Sequence, residues 1–158
     1  GIDHFDTDDF YWERTDPPFT LKRPVEERRR LLRRRLLQSE AWTLSGSLVN
    51  WAEGIDTLYT HVVLLRLQPD IRLARLTVRE MERFGARALP GGDMHENVQE
   101  FLAWARRYDD GGLDVRSRAL HEQYIAKLTC PVIEIDSAQP VDSLVRELLD
   151  WLAAHPSG

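Results

Sequence analysis

Thr60-His61-Val62-Val63-Leu64-Leu65-Arg66-Leu67, followed at once by Gln68-Pro69-Asp70, is the stretch that decides the fold. Its centre is four consecutive aliphatic residues with no polar alternation. That pattern reads as a strand buried on both faces, as in a parallel sheet. Pro69 suits the first position of a helix, because its fixed φ and missing amide cost nothing there. The helix it opens carries Ile71, Leu73, Leu76 and Met81 among its apolar positions and stops near Gly85.

Toward the C-terminus, the turn-rich Leu89-Pro90-Gly91-Gly92-Asp93 leads into a helix expected over 94–108. Gly111-Gly112 breaks it, and a further helix is expected over 114–128. Pro131 to Asp136 reads as a last strand. An amphipathic helix follows Pro140, with Val141, Leu144, Val145, Leu148, Leu149, Trp151 and Leu152. Toward the N-terminus, Ala41–Ser45 is a strand broken by Gly46. Pro24 starts a helix running to about Ser39, with Val25, Leu32 and Leu36 on one face. Ile2–Phe5 is a short strand ending in Asp6-Thr7-Asp8-Asp9, ahead of Phe10-Tyr11-Trp12 and a loop marked by Asp16-Pro17-Pro18. Strands alternating with helices predict an α/β fold over 1–158: a three-layer parallel sheet with helices on both faces.

The chain has 158 residues, 42% apolar and 30% charged, with a net charge of −5. That is the composition of one globular domain able to bury a core, and it excludes collagen, disordered and disulfide-scaffold classes. The longest wholly apolar stretch, Val62 to Leu65, is far short of the ~20 residues that span a bilayer. No secretory signal is visible, and a single cysteine, Cys130, suits a reducing, cytoplasmic setting. Cys130 lies beside Pro131 and an apolar run, which reads as a structural thiol rather than a nucleophile. Nineteen Arg stand against two Lys, Lys22 and Lys127, and neither Lys follows a Gly. The phosphate-cradling G-x-x-x-x-G-K-S/T is therefore absent from these residues. The first residue is Gly rather than Met, so residue 1 is not expected to be the gene's first.

Three constellations could carry chemistry. Asp6 and Asp8 lie two apart after the first strand. The carboxyl ends of strands are where open parallel sheets bind ligands. There such a pair could hold a hydrated Mg²⁺ and take a proton from a hydroxyl; an acidic turn capping a helix is the plainer alternative. Arg72, Arg75, Arg79 and Arg83 form one helical stripe continued by Arg87, which suits either phosphate-gripping forks or a solvated, ion-paired face. Arg28, Arg29, Arg30, Arg33, Arg34 and Arg35 crowd one helix, where a solvated face outweighs nucleic-acid binding in an acidic domain without interleaved aromatics. His95-Glu96 lacks a second His at position 99, and the other histidines are scattered, so no histidine metal site is expected.

Taken in order, His4-Phe-Asp-Thr-Asp-Asp-Phe-Tyr-Trp12, Leu44-Ser-Gly-Ser47, Arg72-Leu-Ala-Arg-Leu-Thr-Val-Arg-Glu80, Pro90-Gly-Gly-Asp-Met-His95 and Cys130-Pro-Val-Ile-Glu-Ile-Asp136 resemble a P-loop kinase of the adenylate kinase-like and shikimate kinase-like class. The resemblance spans nearly the whole chain, but the family's opening strand, Gly-rich phosphate loop and helix are not among these residues. It implies that the chain starts at the family's second strand, and that the complete protein is an ATP- and Mg²⁺-dependent phosphotransferase. The acceptor would be a small hydroxylated or nucleotide-like molecule. By position, Asp6 would support Mg²⁺ through water, and Asp8 would meet the acceptor hydroxyl. Trp12, Arg23, Gly46 and Ser47 would lie on the acceptor side. Arg75 and Arg79 would open a lid over about 79–93 and touch the phosphates, and Ser137, Ala138 and Gln139 would line the adenine pocket. Without the phosphate loop, this chain alone is expected to turn over no ATP. The rival expectation is a catalytically inactive interaction or nucleic-acid-binding domain that uses the Arg-rich helix 23–35.

Overall fold

Two pairs of parallel strands organise the chain in the computed structural model, which describes residues 1–156. The backbone divides into two compact units, Gly1–Leu58 and Tyr59–Gly158.

In the first unit, β1 (Asp3–Asp6) pairs in parallel with β2 (Trp42–Ser45), in a register running from Asp3 opposite Trp42 to Asp6 opposite Ser45. Between them lie the short α1 (Asp8–Tyr11) and the long α2 (Val25–Leu37). α2 starts directly after Pro24. Glu26 and Glu27 occupy its first turn and Arg34 and Arg35 its last, the distribution the helix dipole favours. Leu32 and Leu36, four residues apart, are fully buried on one face, joined in the core by Phe5, Leu48, Val49, Trp51 and Ile55.

In the second unit, β3 (Val62–Arg66) pairs in parallel with β4 (Val132–Asp136). β3 feeds α3 (Pro69–Phe84), with Pro69 at the helix start as the sequence predicts. A 3-10 turn over Gly85–Ala88 leads to α4 (His95–Arg106), then α5 (Arg118–Ile125), β4 and α6 (Val141–Ala154). Phe84, Met94, Val98, Leu102, Leu120 and Ile135 form the buried centre.

The parallel pairing agrees with the sequence reading; three details differ. Among the described residues the four strands form two separate two-stranded sheets, rather than one continuous sheet. Burial of β3 on both faces is the second difference: Leu65 is 59% exposed. A strand with a single neighbour and cover on one side leaves its alternate side chains in solvent. Val141, Val145 and Leu149 likewise lie exposed at four-residue spacing along α6. Third, the helix expected from residue 114 begins at Arg118, because Ser117 caps it: its Oγ accepts from Leu120 N–H (3.0 Å) and donates to Gly112 C=O (2.7 Å).

No helix among the described residues is long and apolar enough to cross a membrane.

Candidate functional site

β1 ends in a tight corner that holds its acidic residues in place. Asp6 Oδ1 accepts the backbone N–H of Asp8 at 2.9 Å, turning the chain into α1, so Asp6 is half-buried and Asp8 is left exposed at the strand's carboxyl end. The buried Thr7 extends the pairing through its N–H to Ser45 C=O at 2.9 Å. Its side chain lies directly against Gly46, which has φ of +104°. A Cβ at position 46 would fall 1.8 Å from Thr7 Oγ1, so only glycine fits both the dihedral and the space. Ser47 completes the corner, its C=O accepting the indole N–H of the buried Trp51 at 3.2 Å. The structure thus brings Asp6, Asp8, Gly46 and Ser47 to the ends of β1 and β2.

Trp12 and Arg23 lie in the same unit but belong to the loop between α1 and α2. Trp12 meets Tyr11 edge-on at 4.9 Å and Phe19 at 6.1 Å, so its ring is half-buried in an aromatic cluster. Arg23 Nη2 donates to Trp12 C=O at 3.2 Å and pairs with Glu13 at 3.2 Å, closing that loop.

In the second unit, Arg75 Nη1 donates to Ser137 C=O at 2.9 Å, so two of the residues assigned to the nucleotide side do meet. The backbone after β4 is largely satisfied internally. Ser137 N–H and Oγ both donate to Arg66 C=O at 2.7 Å, and Ala138 N–H donates to Asp136 Oδ1 at 2.9 Å. Gln139 reaches Glu147 at 3.3 Å. Arg75 already occupies one of the two acceptor positions of Ser137 C=O.

The arginine stripe on α3 is matched by carboxylates. Arg72 pairs with Asp109 at 2.6 Å, Arg79 with the buried Glu80 at 2.8 Å, and Arg83 with the same Glu80 at 3.5 Å. Beyond α3, Arg87 forms a two-point fork on Asp93, with contacts of 2.9 and 2.7 Å. That fork holds the Asp93 carboxyl below its ordinary range. Arg79 also lies 5.5 Å from the Phe101 ring centroid. The segment 79–93 is therefore α3, a 3-10 turn and a pinned loop. Gripping a phosphate with Arg79 requires it to leave Glu80.

Two features escaped sequence reading. Asp109 gathers Arg72 and Arg118 on its two oxygens, and Arg72 lies 4.9 Å over the Tyr108 ring. Burial works to raise the Asp109 pKa, but the two guanidinium groups outweigh it and the net shift is downward. Next to it, Tyr108 hydroxyl and His121 Nδ1 share a 2.9 Å hydrogen bond, with burial raising the tyrosine's pKa and lowering the histidine's. The second feature is Arg28, which is buried with its guanidinium 3.7 Å from the Tyr11 centroid and its Nε donating to Arg23 C=O at 2.6 Å. Cys130 is half-buried, and burial pushes its thiol pKa up, which suits a structural thiol better than a nucleophile.

Among the described residues, no group of three or more His, Cys, Asp or Glu side chains could hold a metal ion. Mg²⁺ asks less, keeping most of its waters and taking one or two carboxylates beside phosphate oxygens, and the half-buried Asp6 carboxylate, with Oδ1 on the Asp8 N–H, is of that type.

No family model matches the chain, and no solved structure matches it. The chain is 43% identical over 152 residues to the uncharacterized protein YqaC of Bacillus subtilis (strain 168), a match covering 96% of this chain and 84% of that protein. The chain belongs to the same family as YqaC.

Proposed function

We propose that this member of the YqaC family is, in its complete form, an ATP-dependent phosphotransferase acting on a small hydroxylated or nucleotide-like acceptor. The observation that carries the reading is the β1 corner: Asp6 ties down the Asp8 backbone, leaving the Asp8 carboxylate exposed at the carboxyl end of a parallel strand. Ligands of open parallel sheets collect at those strand ends.

In this account Asp8 orients the acceptor hydroxyl and receives its proton as the oxygen attacks the terminal phosphorus and the bond to the leaving diphosphate breaks. Asp6 would help hold Mg²⁺, and the ion would offset charge on the phosphate oxygens. Ser47 and Trp12 shape the acceptor side, and Arg23 holds the Trp12 loop. Within the second unit, taken by itself, Arg75 and Arg79 would exchange their present partners, Ser137 C=O and Glu80, to bind phosphate oxygens. Phosphoryl transfer needs positioning and charge stabilisation more than covalent chemistry, so this inventory is of the right kind. It does not include a loop for the β- and γ-phosphates.

The test is calorimetric titration of Mg-ATP into the gene's full-length product. Saturable one-site binding is expected from that protein, and no ATP turnover from residues 1–158 alone. Absence of ATP binding by the full-length product would overturn the reading.

A further inference from the structure

α2 carries a cluster of arginines that outnumber the carboxylates facing them. Of its six arginines, Arg28 is stacked on Tyr11, Arg29 is bridged to Glu26 (2.8 Å) and Glu53 (3.1 Å), and Arg35 lies 5.6 Å from the Phe5 centroid. Arg30, Arg33 and Arg34 remain exposed on one turn. Among the described residues their ion pairing is one contact, Arg30 to Glu27 at 3.9 Å, and Glu27 also faces Arg23 at 3.7 Å. Like charges three and four residues apart destabilise a helix by a few tenths of a kcal/mol each. The Arg30–Glu27 contact and the favourable position of Arg34 at the helix C-terminus offset that repulsion only in part.

Two shallow grooves run along this face and share Arg30 and Arg33. One, of about 490 Å³, is bounded by Glu26, Arg29 and Glu53, where two carboxylates share one guanidinium and leave a net negative charge. The other is an open patch on α2 alone, lined by Arg34, the exposed Leu37 and the C-cap Gln38. That patch combines guanidinium groups, an apolar side chain and one amide. Arginine planes stack on bases while their forks bind phosphates, and an amide can meet a base edge. A membrane fits poorly, because the helix's Leu32 and Leu36 are spent in the unit's own core.

We propose that the α2 face formed by Arg30, Arg33, Arg34, Leu37 and Gln38 binds single-stranded nucleic acid, with its phosphates on the three arginines. The site is independent of the phosphotransfer reading. The chain's net charge is −5, so binding must come from this local patch rather than from global attraction.

Fluorescence anisotropy of a labelled 12-nucleotide single strand with the intact protein tests this. Affinity should fall with a log–log salt slope of about −2, as expected for three neutralised phosphates on a single strand. The triple variant Arg30→Glu, Arg33→Glu, Arg34→Glu should lose more than ten-fold in affinity at low salt. A control triple, Arg106→Glu, Arg107→Glu, Arg146→Glu, makes the same charge change elsewhere and should bind normally. The triple Arg→Lys variant keeps charge without forks and should fall between, with unchanged circular dichroism showing that α2 persists. No binding at low salt, equal losses in both Glu triples, or equally effective competition by polyglutamate or anionic vesicles would overturn the proposal.

Discussion

Replacing Gly46 by Ala is expected to destabilise the first unit by about 3 kcal/mol. Two costs combine. A non-glycine residue at φ +104° is strained, and the new Cβ would sit 1.8 Å from Thr7 Oγ1. Backbone strain and overpacking each cost about 1–3 kcal/mol. The neighbour has little room to move, because Thr7 is buried and its N–H is held by Ser45 C=O. Urea unfolding followed by tryptophan fluorescence reads the change, since Trp51 is buried in this unit. Adding Thr7→Ala to the same chain should recover part of the loss, as the hydroxyl and methyl contacts vanish while the dihedral strain stays. A loss under about 1 kcal/mol for Gly46→Ala would show that the corner yields easily.

Asp109→Asn is expected to destabilise the second unit by about 2 kcal/mol, because Arg72 and Arg118 then lose the charge they share. The side chain of Asp109 is mostly covered but that of Arg118 is substantially exposed, which keeps the cost below that of a fully buried pair. The pH dependence has a definite sign. The folded Asp109 pKa is depressed, so its stabilisation is complete above the unfolded carboxylate value of about 3.9 and disappears as pH falls through the lower folded value. Wild-type and Asp109→Asn proteins should therefore differ in midpoint at pH 7 and converge as pH falls below the unfolded carboxylate value. A constant difference across that range would contradict the assignment.

The elements were readable where local chemistry decides them. Pro24, Pro69 and Pro140 mark helix starts, and the aliphatic runs at 62–65 and 132–135 mark strands. Apolar runs do not report how many layers cover them, so the exposure of Leu65 could not be read. The helix spacing of Arg72, Arg75, Arg79 and Arg83 correctly puts them on one helix, but spacing carries no information about partners. Arg72 finds Asp109, 37 residues away, in an Asp-Asp-Gly-Gly stretch that reads simply as a helix break. Glu80 lies next to Arg79 in sequence, yet its burial comes from tertiary packing. The two arginine-rich segments look alike as sequence and part company only in three dimensions. On α3, Arg72, Arg79 and Arg83 are ion-paired and Arg75 bonds a carbonyl, whereas α2 keeps Arg30, Arg33 and Arg34 exposed. At the β1 corner the acidic pair was legible, whereas the close approach of Thr7 to Gly46 joins residues far apart in the chain.

The central claim is that Asp8, fixed by Asp6 at the end of β1, serves phosphoryl transfer. The most direct measurement is the rate of phosphoryl transfer from ATP by the full-length gene product, screened over hydroxylated and nucleotide acceptors, and then by its Asp8→Asn variant. The account predicts acceptor-dependent transfer that Asp8→Asn lowers by about 100-fold or more in kcat, with ATP binding unchanged. Transfer that proceeds undiminished in the Asp8→Asn variant would contradict it.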